Sequence, residues 1–353
     1  MDISEKYNLI TRNLQEVMGE IQLKKLLEEK EHPVVYLGTA PTGVPSIGYL
    51  CPLRKIADFL NAGLEVIILF ADLHAFLDSA KSTLDQVKAR TKIYEEIIKG
   101  TLDALNVDHS KIIFTIGSSF QLSKDYQMDL FKLGNVVTVH NAQKAGAEVV
   151  KQNSSPLING LVYPLMQVLD EEHLGVDIFA GGIDQRKICT LALESLPKLG
   201  YRTRVHLLNQ IISGLSNVAT GGEKVKMSSS EPGTKIGMLD APKEIQKKVS
   251  KAYCKDGDVF DNTPLSLLKE LLFPILDDFK RSFIINRPEK YGGKLEYLNY
   301  EQVENDFKEL KLSPVDLKLG ISDVIIELTE FSRKRFETDE MTELLKLGYG
   351  SEK

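Results

Sequence analysis

Between residues 33 and 116, three short apolar runs alternate with stretches of helical periodicity, and few folds accept that order. Pro33-Val34-Val35-Tyr36-Leu37-Gly38 reads as a strand, Glu65-Val66-Ile67-Ile68-Leu69-Phe70 as a second with both faces apolar, and Ile112-Ile113-Phe114-Thr115-Ile116 as a third. Between the first two, Ile47, Leu50, Leu53, Ala57 and Leu60 recur at helical spacing, and Asn61-Ala62-Gly63 ends that helix on a glycine. A longer helical stretch, from about Leu84 to Leu105, leads into the third strand. Strand and helix in alternation predict an α/β fold, a Rossmann-like doubly wound parallel sheet.

The rest of the chain extends this plan. Further strands are expected at Val176 to Ala180 and Thr203 to Leu208, and the stretch between the third strand and these, about residues 118–175, reads as a helical insertion. Residues 1–32 read as helices, with Leu9, Ile10, Leu14, Val17 and Met18 spaced for one apolar face. After about Asp240 the strand signal fades. Ile245 to Tyr253, Leu265 to Leu276, Tyr300 to Leu310 and Ile321 to Phe336 all carry helical periodicity. The 353 residues therefore divide into an α/β domain, 1–235, and an all-α domain, 236–353.

Composition narrows the setting. Apolar residues are 42% and charged residues 27% of the chain, an ordinary soluble balance. Cys51, Cys189 and Cys254 are scattered, and the six histidines form no pair at ligand spacing. No disulfide framework and no metal site built from protein ligands is expected, and a reducing, cytoplasmic compartment fits best. The polar, acidic opening Met1-Asp2-Ile3-Ser4-Glu5-Lys6 is unlike a leader, and the longest apolar run, Val66 to Phe70, is too short for a membrane span. The net charge of −6 excludes an indiscriminate nucleic-acid binder. It leaves room for local basic patches, because screening limits how far distant acids act.

Three features carry chemistry. Gly43 and Pro45 stand in a turn between a strand and a helix that begins near Ser46. A helix N-terminus has unpaired amides and a positive dipole end, which suit phosphate, although such turns also serve as plain connections. Gly221-Gly222-Glu223-Lys224-Val225-Lys226-Met227-Ser228-Ser229-Ser230 combines glycine hinges, positive charge and three hydroxyls. It suits a clamp on a triphosphate, and equally a solvated loop. Tyr163, Gln167 and Asp170, spaced four and three apart among apolar neighbours, share one face of a helix that meets either solvent or a site.

Lys226 to Ser230 resembles the second signature of class I aminoacyl-tRNA synthetases, and Pro41-Thr42-Gly43-Val44-Pro45-Ser46-Ile47-Gly48-Tyr49 resembles the segment that carries their first. With Gly182-Ile183-Asp184-Gln185-Arg186-Lys187 and the Tyr163-to-Asp170 helix, the chain is similar to the tyrosyl-tRNA synthetases of the eukaryotic and archaeal branch, from about residue 8 to 348. The aspartate on that helix argues against the tryptophanyl enzymes, which share the fold. Two positions depart from the pattern: Ser46 stands where the first signature has histidine, and Ser229 where the second has a further lysine.

The resemblance implies a set of roles. ATP, arriving with Mg²⁺, would be held by Gly38, Thr39, Gly43, Ser46, Gly48, Tyr49, Lys226, Met227, Ser228, Ser229 and Ser230. Lys226, Ser228, Ser46 and Gly48 would stabilise the leaving pyrophosphate. Tyr36 and Asp170 would bond the phenol of L-tyrosine, Tyr163, Gln167 and Gln185 its ammonium group, and His74 would wall the pocket. Lys144 and Arg186 fall where the first base pair of tRNA(Tyr) is read. Tyr291 and Asp316 would read the anticodon from the helical domain. The insertion would form a homodimer interface, and the chain would lack the appended domain of some animal relatives.

Overall fold

The computed structural model describes residues 1–78, 82–149, 157–212, 235–260 and 262–350. Six strands form the central sheet in the order β1-β6-β5-β2-β3-β4. They are β1 (Leu14–Met18), β2 (Val34–Thr39), β3 (Glu65–Phe70), β4 (Ile112–Ile116), β5 (Ile178–Gly182) and β6 (Val205–Asn209). All neighbours run parallel except β1 and β6. From β2 the chain proceeds outward through β3 to β4, and from β5 outward through β6, so the order reverses between β2 and β5. A crevice opens at such a reversal, beyond the carboxyl ends of the two strands.

Period-2 alternation decides what faces that crevice. Val35 and Leu37 pack with Val66, Ile68 and Phe70 in a cluster shared with the helices Leu50–Asn61 and Leu84–Ala104. Tyr36, Ile67 and Leu69 pack with Phe179 on the other face. Each fully buried apolar side chain contributes about 2 kcal/mol. A one-residue slip of β2 would therefore move Tyr36 to the wrong side and expose its neighbours. The insertion helices Lys124–Gly134, Val139–Gly146 and Ile158–His173 form a second cluster together with the helix Arg186–Ser195.

Residues 1–32 are not all helical. Leu14, Val17 and Met18 lie in β1, between the helices Ile3–Thr11 and Glu20–Glu29. Asn13 at φ 59° and Gly19 at φ 97° turn the chain out of one helix and into the next. β1 covers the outer edge of β6, whose residues are all buried, and this non-local pairing outweighs the helical spacing. The helix expected from Ser46 begins as a 3-10 turn, Ile47–Tyr49, before Leu50–Asn61, and Gly63 ends it at φ 85°.

The C-terminal part holds the helices Pro242–Lys251, Tyr300–Lys308, Pro314–Lys334 and Asp339–Tyr349. The expected Leu265-to-Leu276 helix spans Thr263–Leu267, a π-turn at Leu268–Leu272, and Phe273–Asp278. The region is not purely helical, because Phe283–Ile285 and Leu295–Tyr297 pair as an antiparallel ribbon. Phe283 and Ile285 pack there against Gly320 of the long helix, which leaves no space for a side chain at that position. One apolar cluster runs without a break from the sheet into these helices.

A buried charge cluster ties three parts of the chain together. The Lys55 ammonium contacts Asp58 at 2.6 Å and the carbonyls of Leu9 and Arg12 at 3.1 and 3.0 Å. Arg12 also bonds Asp58, and it reaches Asp278 at 3.0 Å. Burial lowers the Lys55 pKa to about 8, with Asp58 opposing the shift. Removing one partner of a buried pair leaves an uncompensated charge. Asp58→Asn is expected to destabilise the fold by about 3–5 kcal/mol in urea unfolding, and Lys55→Met/Asp58→Leu by much less. Equal losses in the two variants would show that the pair is not coupled.

Candidate active site

The crevice at the reversal is a cleft of about 650 Å³. Tyr36, Gly38, Thr39, Gly43, Ser46, Gly48, Tyr49, His74, Tyr163, Gln167, Asp170 and Gln185 all line it. Helix and strand positions far apart in sequence thus converge on one space. Met227 and the Lys226-to-Ser230 segment lie outside the described residues, so their expected roles are not addressed by this geometry. Ile212 and Lys235, on either side of that stretch, both line the cleft.

The first-signature loop is stitched down from two sides. Met238 N–H donates to the Pro45 carbonyl at 2.8 Å, and Ile47 N–H to the Ile236 carbonyl at 3.0 Å. Ser46 and Gly237 form an isolated antiparallel bridge, and Lys235 Nζ donates to the Val44 carbonyl. From the other side, Tyr94 Oη donates to the Gly43 carbonyl. Ser46 is 9% exposed, and a side chain at Gly48 would stand 3.3 Å from its hydroxyl. Gly48 thus leaves the space beside the Ser46 hydroxyl free of a side chain. Tyr49 Oη and Thr39 Oγ1 share a hydrogen bond of 2.8 Å, which joins the loop to the end of β2.

The other end of the cleft is built around one carboxylate. The helix Ile158–His173 presents Tyr163, Gln167 and Asp170 to the cleft rather than to solvent. Pro164 lies in the second turn of that helix, beyond the first turn where proline costs least. Asp170 is 1% exposed; its Oδ1 accepts from Gln121 Nε2 at 2.7 Å and from Tyr126 Oη at 2.9 Å. Burial raises its pKa to about 7, and the two donors oppose the shift. His74 Nε2 stands 3.8 Å from Asp170 Oδ2, and burial lowers the His74 pKa to about 4, so the ring is neutral near pH 7. His74 also packs edge-on against the Tyr163 ring. The Tyr36 hydroxyl is buried without a hydrogen-bond partner. An orphaned hydroxyl is costly unless a ligand completes it. Gln167 Nε2 donates to Gln185 Oε1 at 3.0 Å, pairing two of the expected ammonium ligands.

The expected RNA positions lie outside the cleft. Lys144 is exposed on Val139–Gly146. Arg186 forms a fork with Glu16 on β1, at 2.7 and 3.0 Å, and remains half exposed. Tyr291 is 63% exposed rather than packed on the core, with Lys290 Nζ 4.8 Å from its ring centre. Asp316 is not the helix cap, since Ser313 fills that place. Its Oδ2 accepts from Ser313 Oγ at 3.0 Å and from Arg287 Nη1 at 3.3 Å. Arg287 Nε also donates to the Gly293 carbonyl, so one guanidinium joins the Tyr291 turn to the start of the long helix.

Several residues escaped the sequence reading. Gln121 and Tyr126 hold Asp170 from the insertion, and Glu16 holds Arg186. Asp184 is buried and lines the cleft. A buried carboxylate announces that it needs donors, but local periodicity does not say which residues supply them. Phe260 is 96% exposed, a signal visible only once burial is known. Among the described residues, no three His, Cys, Asp or Glu side chains cluster as a metal site, and no helix is long and apolar enough to cross a membrane.

The mostly parallel sheet, with its cleft at the strand-order reversal, matches a class I synthetase fold. The family model described as tRNA synthetases class I (W and Y) matches residues 28–330, and the chain belongs to that family. Within it, the chain stands with the tyrosine side. It is 48% identical to the cytoplasmic tyrosine–tRNA ligase of Saccharomyces cerevisiae, over 99% of this chain and 89% of that protein. It is 48% identical to the cytoplasmic tyrosine–tRNA ligase of Gallus gallus, over 98% of this chain but 63% of that longer protein. The crystal structure of tyrosyl-tRNA synthetase from Archaeoglobus fulgidus complexed with L-tyrosine superposes with a TM-score of 0.83 at 39% identity, covering 95% of this chain and 99% of that one.

The Asp170 pKa generates a pH dependence. As pH falls through about 7, the carboxylate takes up a proton and becomes a weaker acceptor for a phenol. The KM for tyrosine in ATP–pyrophosphate exchange is expected to be flat above that point and to rise below it. Asp170→Asn should flatten the profile and reduce discrimination against phenylalanine. A flat profile in the parent protein between about pH 5.5 and 8.5 would remove Asp170 from phenol recognition.

Proposed function

We propose that this protein activates L-tyrosine with ATP and transfers the tyrosyl group to tRNA(Tyr) in the cytoplasm. The buried Asp170 carboxylate beside the partnerless Tyr36 hydroxyl, in a cleft reached from the first-signature loop, carries this reading. A phenol completes both groups, and phenylalanine completes neither. The loss of such polar contacts is how a hydrogen-bonding pocket rejects an isostere; the general rule is itself illustrated by a tyrosyl enzyme.

The chemistry needs no general base, because a carboxylate is already a nucleophile at neutral pH. One tyrosine carboxylate oxygen attacks the α-phosphorus of ATP, the bond to the bridging oxygen breaks, and pyrophosphate leaves. The terminal ribose hydroxyl of tRNA then attacks the carbonyl carbon, loses its proton, and expels AMP. The protein positions the reactants and stabilises developing charge. Gly38, Thr39, Gly43, Ser46, Gly48 and Tyr49 form the ATP side. Lys226, Met227, Ser228, Ser229 and Ser230 belong to the same side by resemblance alone. Mg²⁺ enters as the ion carried by the triphosphate. Ser46 offers a shorter donor than the histidine usual at its position.

Tyr163, Gln167 and Gln185 hold the ammonium group, and His74 closes the wall against Tyr163. Arg186 and Lys144 meet the acceptor end of the tRNA. The exposed Arg186–Glu16 pair is weak enough to be exchanged for RNA. The two-part organisation, 1–235 for catalysis and 236–353 for the anticodon, is supported by the exposed Tyr291 ring, the carboxylate of Asp316 and the exposed Phe260. Leu122, Met128, Phe131 and Val139 of the insertion are exposed beside the edge strand β4, where Ile113 and Ile116 are exposed as well. Exposed apolar side chains on the insertion and on its neighbouring edge strand support a homodimer through the insertion.

Three measurements test the assignment. Purified protein should catalyse pyrophosphate exchange with tyrosine and not with tryptophan or phenylalanine; exchange led by tryptophan would overturn the reading. Asp316→Asn should slow charging of tRNA by about tenfold or more, consistent with one lost base contact of about 1–3 kcal/mol, and leave exchange unchanged. Phe131→Glu should shift the protein to a monomer in analytical ultracentrifugation; an unchanged sedimentation coefficient would move the interface elsewhere.

A further inference from the structure

The helix Leu84–Ala104 touches both the ATP side of the cleft and the end of the chain. Its N-terminus is held by a capping box between Thr83 and Gln86. Tyr94 is 2% exposed. Its hydroxyl donates to the Gly43 carbonyl, and its ring meets the Tyr49 ring edge-on at 6.0 Å. Tyr49 in turn bonds Thr39 at the tip of β2. One helical turn earlier, on the same face, Arg90 Nε donates to the Gly348 carbonyl at 2.7 Å. The Arg90 guanidinium lies 5.1 Å from the centre of the Tyr349 ring.

The fit between these elements is close. A side chain at Gly348 would come within 3.0 Å of Ile93 and 3.3 Å of Arg90. Farther along the helix, Gly100 meets the backbone of Ser332 with no space for a methyl group, and Ser332 Oγ donates to the Ile97 carbonyl at 3.1 Å. Two C-terminal helices, Pro314–Lys334 and Asp339–Tyr349, therefore grip the helix that grips the loop. Burial drives the Tyr94 hydroxyl well above its ordinary pKa, with Tyr49 and Tyr349 adding to the shift, so it stays a proton donor across the working range.

Resting on the ATP side assigned above, the geometry points to Tyr94 as a positioning residue for ATP, held in place by Arg90 and Tyr349, so that the last helix of the chain forms part of the ATP site without touching nucleotide. The Tyr94 hydroxyl orients the Gly43 carbonyl and with it the first-signature loop on the ATP side. Arg90 fixes the same helix face to the C-terminal helix through one hydrogen bond and one cation–π contact. An event that shifts the C-terminal helices would then be felt first in ATP affinity, and tyrosine affinity would be spared. The tyrosine pocket hangs on a different helix, Ile158–His173.

The test uses the full chain and measures binding directly, by equilibrium dialysis with labelled ATP and, separately, labelled tyrosine. Tyr94→Phe, which keeps the ring and removes the donor, is expected to weaken ATP about fivefold, the size of one lost net hydrogen bond, with tyrosine affinity within about twofold. Tyr349→Ala is expected to act in the same direction on ATP alone, and Tyr349→Phe, which preserves the ring beneath Arg90, to restore parental affinity. ATP affinity unchanged in Tyr94→Phe would overturn the role of Tyr94. Equal weakening of both ligands would reveal general damage to the fold and overturn it as well. An effect in Tyr94→Phe with none in Tyr349→Ala would sever the C-terminal helix from the site. Absence of ATP binding in the parent protein would defeat the functional reading itself, a result distinct from ATP binding that ignores these substitutions.

Discussion

The parallel pairing of β2 with β3 on one side and β5 on the other governs the rest of the molecule. Tyr36 stands opposite Ile67 and Phe179 in that register, and the next strands lead away in opposite directions. Crossover segments cannot fill the gap where they diverge, so a cleft is left at the carboxyl ends. β2 delivers Tyr36, Gly38 and Thr39 to it within four residues. Alternation sends Val35 and Leu37 into the core while Tyr36 faces the insertion. A single register therefore determines both the largest apolar cluster and the floor of the pocket.

Burial of polar groups shapes the chemistry of that pocket. Asp170 loses water and gains Gln121 and Tyr126, which hold its geometry but do not cancel the desolvation. His74 responds to the same dry surroundings by shedding its proton. The Asp170 carboxyl is thus poised near neutral pH, while the imidazole 3.8 Å away stays neutral and forms no strong ion pair with it. The Tyr36 hydroxyl completes a site whose hydrogen-bonding capacity is only partly used by the protein. Such a surface binds what supplies the missing donors and acceptors and penalises what does not.

The ATP side is held by a different strategy. Its loop buries Ile47 in the core and is tied down by backbone partners from elsewhere. Residues 235–238 run antiparallel to Pro45–Ile47, and Tyr94 secures Gly43 from a third element. These contacts add to the stiffness that Pro41 and Pro45 give the loop and fix the path at Gly43. The C-terminal helices brace the last of them through Arg90 and Ser332.

Much of this was determined by sequence alone. Five strands, the insertion, the helix-ending Gly63 and the common face of Tyr163, Gln167 and Asp170 follow from periodicity and turn chemistry, which act over a few residues. The family also follows from short segments, since Pro41 to Tyr49 and Gly182 to Lys187 are read without knowing where they lie. Tertiary structure alone decided the rest. Leu14, Val17 and Met18 have helical spacing, yet they became a strand because β6 offered an open edge. The π-turn and the ribbon at Phe283–Ile285 arise where helices and strands must fit a shared core. Gln121, Tyr126, Glu16, Arg90 and Tyr94 take their places through partners 44 or more residues away, as Tyr126 and Asp170 do across 44 and Arg90 and Gly348 across 258. Local preference is written residue by residue; a buried charge or a close backbone approach exists only after distant segments have met.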